Sequence, residues 1–179
     1  MGEPFGVALA NDATYGHDVT RHARTGGGTF SRVRASLLRA PRYPDPETDQ
    51  GVHRFAYRLV SDATIADAVA AGYRLNLPLR NRNAAGPVAP LVSVEGDGVV
   101  VESVKLAEDR SGDLVVRLYE ALGARTKARV TWDIKATGVS IVDLLERDIE
   151  ARPDAAGGTT VELRPFQILT LRVRGEDAG

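Results

Sequence analysis

Alternation of apolar and polar residues in the C-terminal half is the feature that most constrains the fold. It recurs in four segments, with apolar positions at 114, 116 and 118; at 130, 132 and 134; at 161 and 163; and at 169, 171 and 173. A period of two sends successive side chains to opposite faces of a strand. Apolar runs on either side of Gly-containing turns also predict a hairpin near residues 98–118. Short strands at this spacing predict an antiparallel β-sandwich of about 90 residues.

The N-terminal half is less regular but also favours strands. The residue pattern predicts strands over 5–10, 30–38 and 53–60. The third should be half-buried, with three side chains on one face: Phe55, Tyr57 and Leu59.

One short helix is expected, over residues 61–72 ("SDATIADAVAAG"). Ser61 or Asp62 is a suitable N-cap, the alanines favour helix, and Gly72 is a suitable end. A strand is predicted to follow over 73–79, ending near Pro78.

The stretch 80–90, "RNRNAAGPVAP", is polar and then rich in Gly and Pro, which predicts a linker. We therefore expect two β domains, over 1–82 and 88–179, and a mainly β chain. Trp132 shares a face with Val130 and Ile134, so it is predicted to be a core residue rather than a sugar-stacking platform.

Composition excludes several classes of function. The 179 residues include no cysteine, which removes disulfides, thiolate zinc sites and a cysteine nucleophile. The formal net charge is −1, so bulk electrostatics favour neither nucleic acid nor an anionic membrane. No apolar run approaches the roughly 20 residues of a membrane helix.

No metal or catalytic motif stands out. The histidines His17 and His22 are not at the spacing that places two ligands on one helix face. The acids of "DPETDQG" suggest a calcium loop starting at Asp45, but the glycine and the bidentate acid of such a loop are replaced by Gln50 and Ala56.

Six strings, in order, resemble the C-terminal part of glycoside hydrolase family 38 α-mannosidases of the bacterial and cytosolic/vacuolar type. They are "VALANDATYGHDV", "ASLLRAPRYPDPETDQGVHRFAYRLV", "LNLPL", "DLVVRLYEALGARTKARVTW", "VDLLERD" and "VELRPFQILTLRV". The resemblance covers about residues 5–174.

This resemblance implies the end of a large, mutarotase-like β-sandwich followed by a small Ig-like one. It places the zinc ion and the catalytic carboxylates in an α/β barrel that this sequence does not match, so no cofactor is expected in this chain. The abrupt N-terminus suggests part of a longer protein. The implied partners are that barrel and mannose-containing glycans, in the cytoplasm, with homo-oligomers possible through open strand edges.

The resemblance also implies that irregular loops of the large sandwich approach the sugar site. The predicted substrate-binding residues lie in "NDATYGHD" and "RAPRYPDPETDQG": Asn11, Asp12, Tyr15, Arg39 and Asp45. Arg39 offers several donors to sugar hydroxyls, and Tyr15 offers a ring face and a hydroxyl. The alternative for each residue is turn chemistry, including an ion pair of Arg39 with Asp45 or Asp49.

Two other functions stay open. The chain is alternatively a free-standing carbohydrate- or protein-binding β-sandwich. Hydrolysis of mannosides by the chain itself is disfavoured, because no paired carboxylates or metal ligands are visible in the sequence.

Overall fold

A computed structural model describes residues 5–79, 81, 83, 86–152 and 157–176. The chain divides into two compact units, Met1–Arg80 and Asn81–Gly179. Part of the predicted linker, at positions 80, 82, 84 and 85, lies outside the described residues.

The described residues of the first unit form four strands and one helix. The strands are β1 (Val7–Asn11), β2 (His17–Ala23), β3 (Thr29–Ala35) and β4 (Tyr57–Ser61), and the helix is α1 (Ile65–Asn76). β1 pairs with β4 and β2 with β3, both antiparallel. Helix α1 contacts β1 and β4, and the small side chains Ala8 and Ala71 are buried.

The predicted bounds of the helix were wrong. Thr64, rather than Ser61 or Asp62, is the N-cap, and it forms a capping box with Asp67. Gly72 lies inside the helix, and Tyr73–Asn76, predicted to begin a strand, form its last turn. The Asn76 amide donates to the carbonyls of Gly72 at 2.9 Å and of Asn11 at 3.1 Å. The second of these bonds is a long-range contact that local pattern does not reveal.

The strand predicted over 53–60 begins only at Tyr57. On its expected buried face Phe55 is half-buried, but Tyr57 and Leu59 are exposed. Leu59 lies opposite Leu9 on β1 and is 71% exposed, whereas Val60 lies opposite Ala8 on the other face. Since Ala8 is buried, the covered face is that of Ala8 and Val60. β3 also ends earlier than predicted, at Ala35.

The second unit is the predicted antiparallel β-sandwich. In the part that the structure describes, its strands are β5 (Val92–Glu95), β6 (Val99–Leu106), β7 (Leu114–Glu120), β8 (Thr126–Trp132), β9 (Ala136–Val142), β10 (Asp148–Arg152), β11 (Gly158–Leu163) and β12 (Ile168–Gly175). One sheet has the order β10-β9-β12-β7-β6 and the other β11-β8-β5. The predicted hairpin is the β6–β7 pair.

The two sheets share one hydrophobic core. It contains the predicted inward residues of β7, β8, β11 and β12, among them Val116, Leu118, Val130 and Leu171, each 0% exposed. Trp132 is 6% exposed and belongs to this core, which confirms that prediction. The alternation therefore identified the faces of these four strands correctly.

The sequence pattern did not predict four of the described strands: β2, β5, β9 and β10.

The larger sheet also buries side chains on the face that points away from the core. Val115, on that face of β7, is only 1% exposed, so both faces of β7 are covered. Charged side chains lie on this second face as well. Arg172 on β12 binds Asp113 at 2.7 Å and Asp109 at 2.5 Å.

Candidate functional site

An open depression of about 760 Å³ in the first unit contains two of the five predicted site residues. It is lined by residues 13–16, which precede β2, and by residues 36–39, which follow β3. Tyr15 comes from the first segment and Arg39 from the second. We call it the Tyr15–Arg39 depression.

Pairing of β2 with β3 brings the two segments together. The ladder runs from Ala23–Thr29 to His17–Ala35, and the Ser36 N–H then donates to the Gly16 carbonyl at 2.8 Å. A Cβ at Gly16 would lie 2.9 Å from the Ser36 Cβ, closer than normal packing allows. Glycine is therefore required for the close approach that joins the two walls.

Tyr15 and Arg39 have side chains available to a ligand. Tyr15 is 99% exposed. Arg39 forms no ion pair with Asp45 or Asp49 in the described part of the chain, and Asp49 instead accepts the Ala40 N–H at 3.1 Å. A guanidinium and a phenol that share one depression suit a polar ligand with a flat or apolar face.

Asn11 and Asp12 are used in the local fold. The Asn11 Oδ1 accepts the Thr14 N–H at 2.7 Å, closing a turn over residues 11–14. The Asp12 Oδ1 accepts the Ala56 N–H at 3.0 Å, and the Asp12 N–H donates to the Ala56 carbonyl. These bonds extend the β1–β4 pair, and a role of either residue in substrate binding remains a prediction.

Asp45 lies in the irregular connection between β3 and β4. Its Oδ1 accepts the Glu47 N–H at 2.9 Å, and its carbonyl accepts the Thr48 N–H. Residues 39–55 are thus a loop organised by turns, and Asp45 does not line the Tyr15–Arg39 depression. Its predicted contact with substrate remains a prediction.

Thr14 is a residue of this region that sequence reasoning missed. It is 8% exposed, and its Oγ1 lies 3.0 Å from the Tyr57 hydroxyl on β4. This contact ties the wall that carries Tyr15 to the β1–β4 sheet. Its position inside the "NDATYGHD" string was the signal available.

Within the described ranges, no group of three or more His, Asp or Glu side chains is close enough to hold a metal ion. No helix in those ranges is long and apolar enough to cross a membrane.

In the second unit, two of the quoted strings meet at a buried carboxylate. Glu120, from "RLYE", is 1% exposed and accepts the Phe166 N–H of "LRPF" at 2.9 Å. It also accepts the N–H groups of Leu122 and Gly123, each at 2.8 Å. Burial alone would raise the pKa of Glu120, but the backbone donors outweigh it and hold the pKa below its usual value.

Residues 98–171 match glycosyl hydrolases family 38, C-terminal beta sandwich domain. That range falls within the two sheets of the second unit. The second unit is therefore similar to this domain over residues 98–171.

The similar curated proteins are α-mannosidases. Alpha-mannosidase 2C1 of Homo sapiens is 38% identical over 184 residues, covering 93% of this chain and 16% of its own length. Alpha-mannosidase G of Dictyostelium discoideum is 30% identical over 181 residues, with 94% and 16% covered. The chain thus corresponds to a small part of each relative.

Proposed function

We propose that this chain is the non-catalytic C-terminal part of an α-mannosidase, where it supports the catalytic barrel and shapes one side of the sugar site. The observation that carries the proposal is similarity to α-mannosidases along 93% of this chain. The family domain accounts for residues 98–171 only, so the similarity also includes the first unit.

The Tyr15–Arg39 depression is the proposed contact with sugar. The Arg39 guanidinium would donate to hydroxyl oxygens of a mannoside, and the exposed Tyr15 ring would pack on the apolar face of the sugar. Pairing of β2 with β3 fixes the backbone of the two segments relative to each other, so binding has to order only the Tyr15 and Arg39 side chains.

Other parts of the proposal follow from the similarity to α-mannosidases. Zinc and the catalytic carboxylates would belong to the barrel of the parent enzyme, and the partners would be that barrel and mannose-containing glycans. A cytoplasmic location is proposed on the same basis, and assembly into homo-oligomers is proposed from open strand edges.

The test is kinetic and uses the full-length protein. Tyr15→Ala and Arg39→Gln should each lower kcat/KM for an aryl α-mannoside by about tenfold or more, because each removes a contact with the sugar. Matched controls are Tyr43→Ala and Arg42→Gln, whose residues lie in or beside the same loop but do not line the depression. Unchanged kcat/KM in both test variants, with the fold intact, would remove the depression from the sugar site.

One observation favours the alternative of a free-standing sugar-binding module: the full exposure of the Tyr15 ring. Calorimetry of the chain with mannose oligosaccharides separates the two proposals. Binding that Tyr15→Ala abolishes would favour the module, and no binding would favour a surface completed by the barrel.

A further inference from the structure

A second depression, in the β-sandwich, collects positive charge. It has a volume of about 510 Å³ and is lined mainly by six polar residues: Arg125, Thr126, Lys127, Glu162, Arg164 and Gln167. Three cations face one carboxylate there, a local net charge of +2 in a chain whose net charge is −1. We call it the Arg125–Arg164 depression.

Strand register explains why two arginines share this place. β8 and β11 pair from Thr131–Gly158 to Thr126–Leu163, where the ladder ends. Arg125 and Arg164 are the next residues on the two chains, so they leave the sheet side by side.

The buried Glu120 carboxylate holds the backbone of both arginine-bearing loops. It accepts N–H groups from Leu122 and Gly123 in the loop before Arg125, and from Phe166 in the turn after Arg164. The Glu120 N–H donates in turn to the Gln167 carbonyl at 3.0 Å. The two loops are therefore fixed relative to each other, and the arginines cannot separate by loop movement at low cost.

The nearby acceptors do not neutralise the arginines. Glu162 lies opposite Lys127 in the ladder, and its Oε1 is 4.0 Å from the Lys127 Nζ. Both side chains are largely exposed, and the carboxylate pairs with this lysine rather than with an arginine. The Gln167 Oε1 accepts the Arg164 N–H at 2.9 Å and its Nε at 3.4 Å, which orients the guanidinium without balancing its charge. The Arg125 side chain has no hydrogen bond or ion pair with any residue that the structure describes.

We propose that the Arg125–Arg164 depression binds a phosphate monoester or inorganic phosphate. Arginine forks donate two parallel hydrogen bonds to phosphate oxygens, and the dianion matches the local charge of +2. The Gln167 amide supplies a neutral donor beside them. The Thr126 hydroxyl already donates to the Asp97 carbonyl at 3.0 Å. The site lies apart in sequence from the Tyr15–Arg39 depression, and the proposal does not depend on the proposed mannosidase function.

Isothermal titration calorimetry on the full-length protein, at constant ionic strength, tests the site. Arg125→Gln and Arg164→Gln should each weaken binding of inorganic phosphate by about tenfold or more. Arg129→Gln is the matched control, because Arg129 lies on β8 but outside the depression. It should change the dissociation constant by less than about twofold.

Mannose 6-phosphate identifies the source of the phosphate group. Tighter binding than inorganic phosphate would indicate a sugar phosphate, and equal binding would indicate the phosphate alone; either supports the site. No phosphate binding at 10 mM by the natural protein, or equal losses in all three variants, would overturn the proposal. Circular dichroism of each variant establishes that the fold is retained.

Discussion

Glu120 and Phe166 join two loops of the β-sandwich through one hydrogen bond, 2.9 Å long, between a buried carboxylate and a backbone N–H. The same carboxylate accepts the Leu122 and Gly123 N–H groups, so the loop after β7 and the turn before β12 share a single acceptor. Backbone donors that are buried need acceptors, and this carboxylate serves three of them.

Glu120→Gln should destabilise the protein. The change replaces one acceptor oxygen with an amide group that donates, and that group would face backbone donors. We expect the melting temperature to fall by about 5 °C or more in differential scanning calorimetry. The matched control, Glu162→Gln, removes an exposed carboxylate and should shift it by less than about 2 °C. Equal shifts would show that Glu120 has no special role.

Stability should decrease in acid. Hydrogen bonds from Ser111, with further help from Arg172, lower the pKa of Asp109 to about 2, and the pKa of Glu120 is lowered as well. The unfolded chain therefore takes up protons at a higher pH than the folded chain does. The stabilisation is complete above the pKa values that these carboxyl groups have in the unfolded chain, near pH 4 to 5. It is lost as the pH falls toward about 2, the pKa of Asp109 in the folded chain.

Urea unfolding midpoints between pH 7 and pH 2.5 measure this loss. The difference between the natural protein and Glu120→Gln should shrink as the pH falls, because protonation removes the same charge. A midpoint that stays level down to pH 2.5 would be incompatible with these pKa shifts.

Gly158→Ala should disturb the β8–β11 pair. A Cβ at Gly158 would lie 2.6 Å from the Val130 carbonyl oxygen, which is backbone and cannot rotate away. We expect a loss of about 2 kcal/mol in the free energy of unfolding. Gly175→Ala is the control, since a Cβ there meets nothing within 4 Å, and its effect should be below about 0.5 kcal/mol. Chemical denaturation of both variants compares them.

Leu171→Ala should be among the most damaging single changes. Leu171 is 0% exposed at the centre of the core, so truncation leaves a cavity costing about 2–5 kcal/mol. Leu106→Ala, at a position that is 67% exposed, removes the same atoms and should cost less than about 1 kcal/mol. Similar losses in urea titrations would contradict the assignment of the core.

Sequence pattern predicted the sandwich better than it predicted the first unit. In β7, β8, β11 and β12 the alternation reports directly which face of each strand is buried, because that period is a local property of the chain. For α1, the sequence pattern predicted both ends of the helix wrongly. The capping box at Thr64 starts the helix later than predicted. At the other end the helix continues through Asn76, which bonds to the Asn11 carbonyl, into residues whose spacing resembles a strand.

The candidate site was likewise determined partly by local sequence and partly by tertiary structure. The sequence alone pointed to Tyr15 and Arg39 as residues of unusual loops, and to the family strings around them. Only the tertiary structure placed these residues in one depression, because the β2–β3 ladder and the Gly16–Ser36 contact link positions about 20 residues apart. It likewise brought Arg125 beside Arg164, since residue type and period are read locally, whereas strand pairing depends on contacts between distant segments.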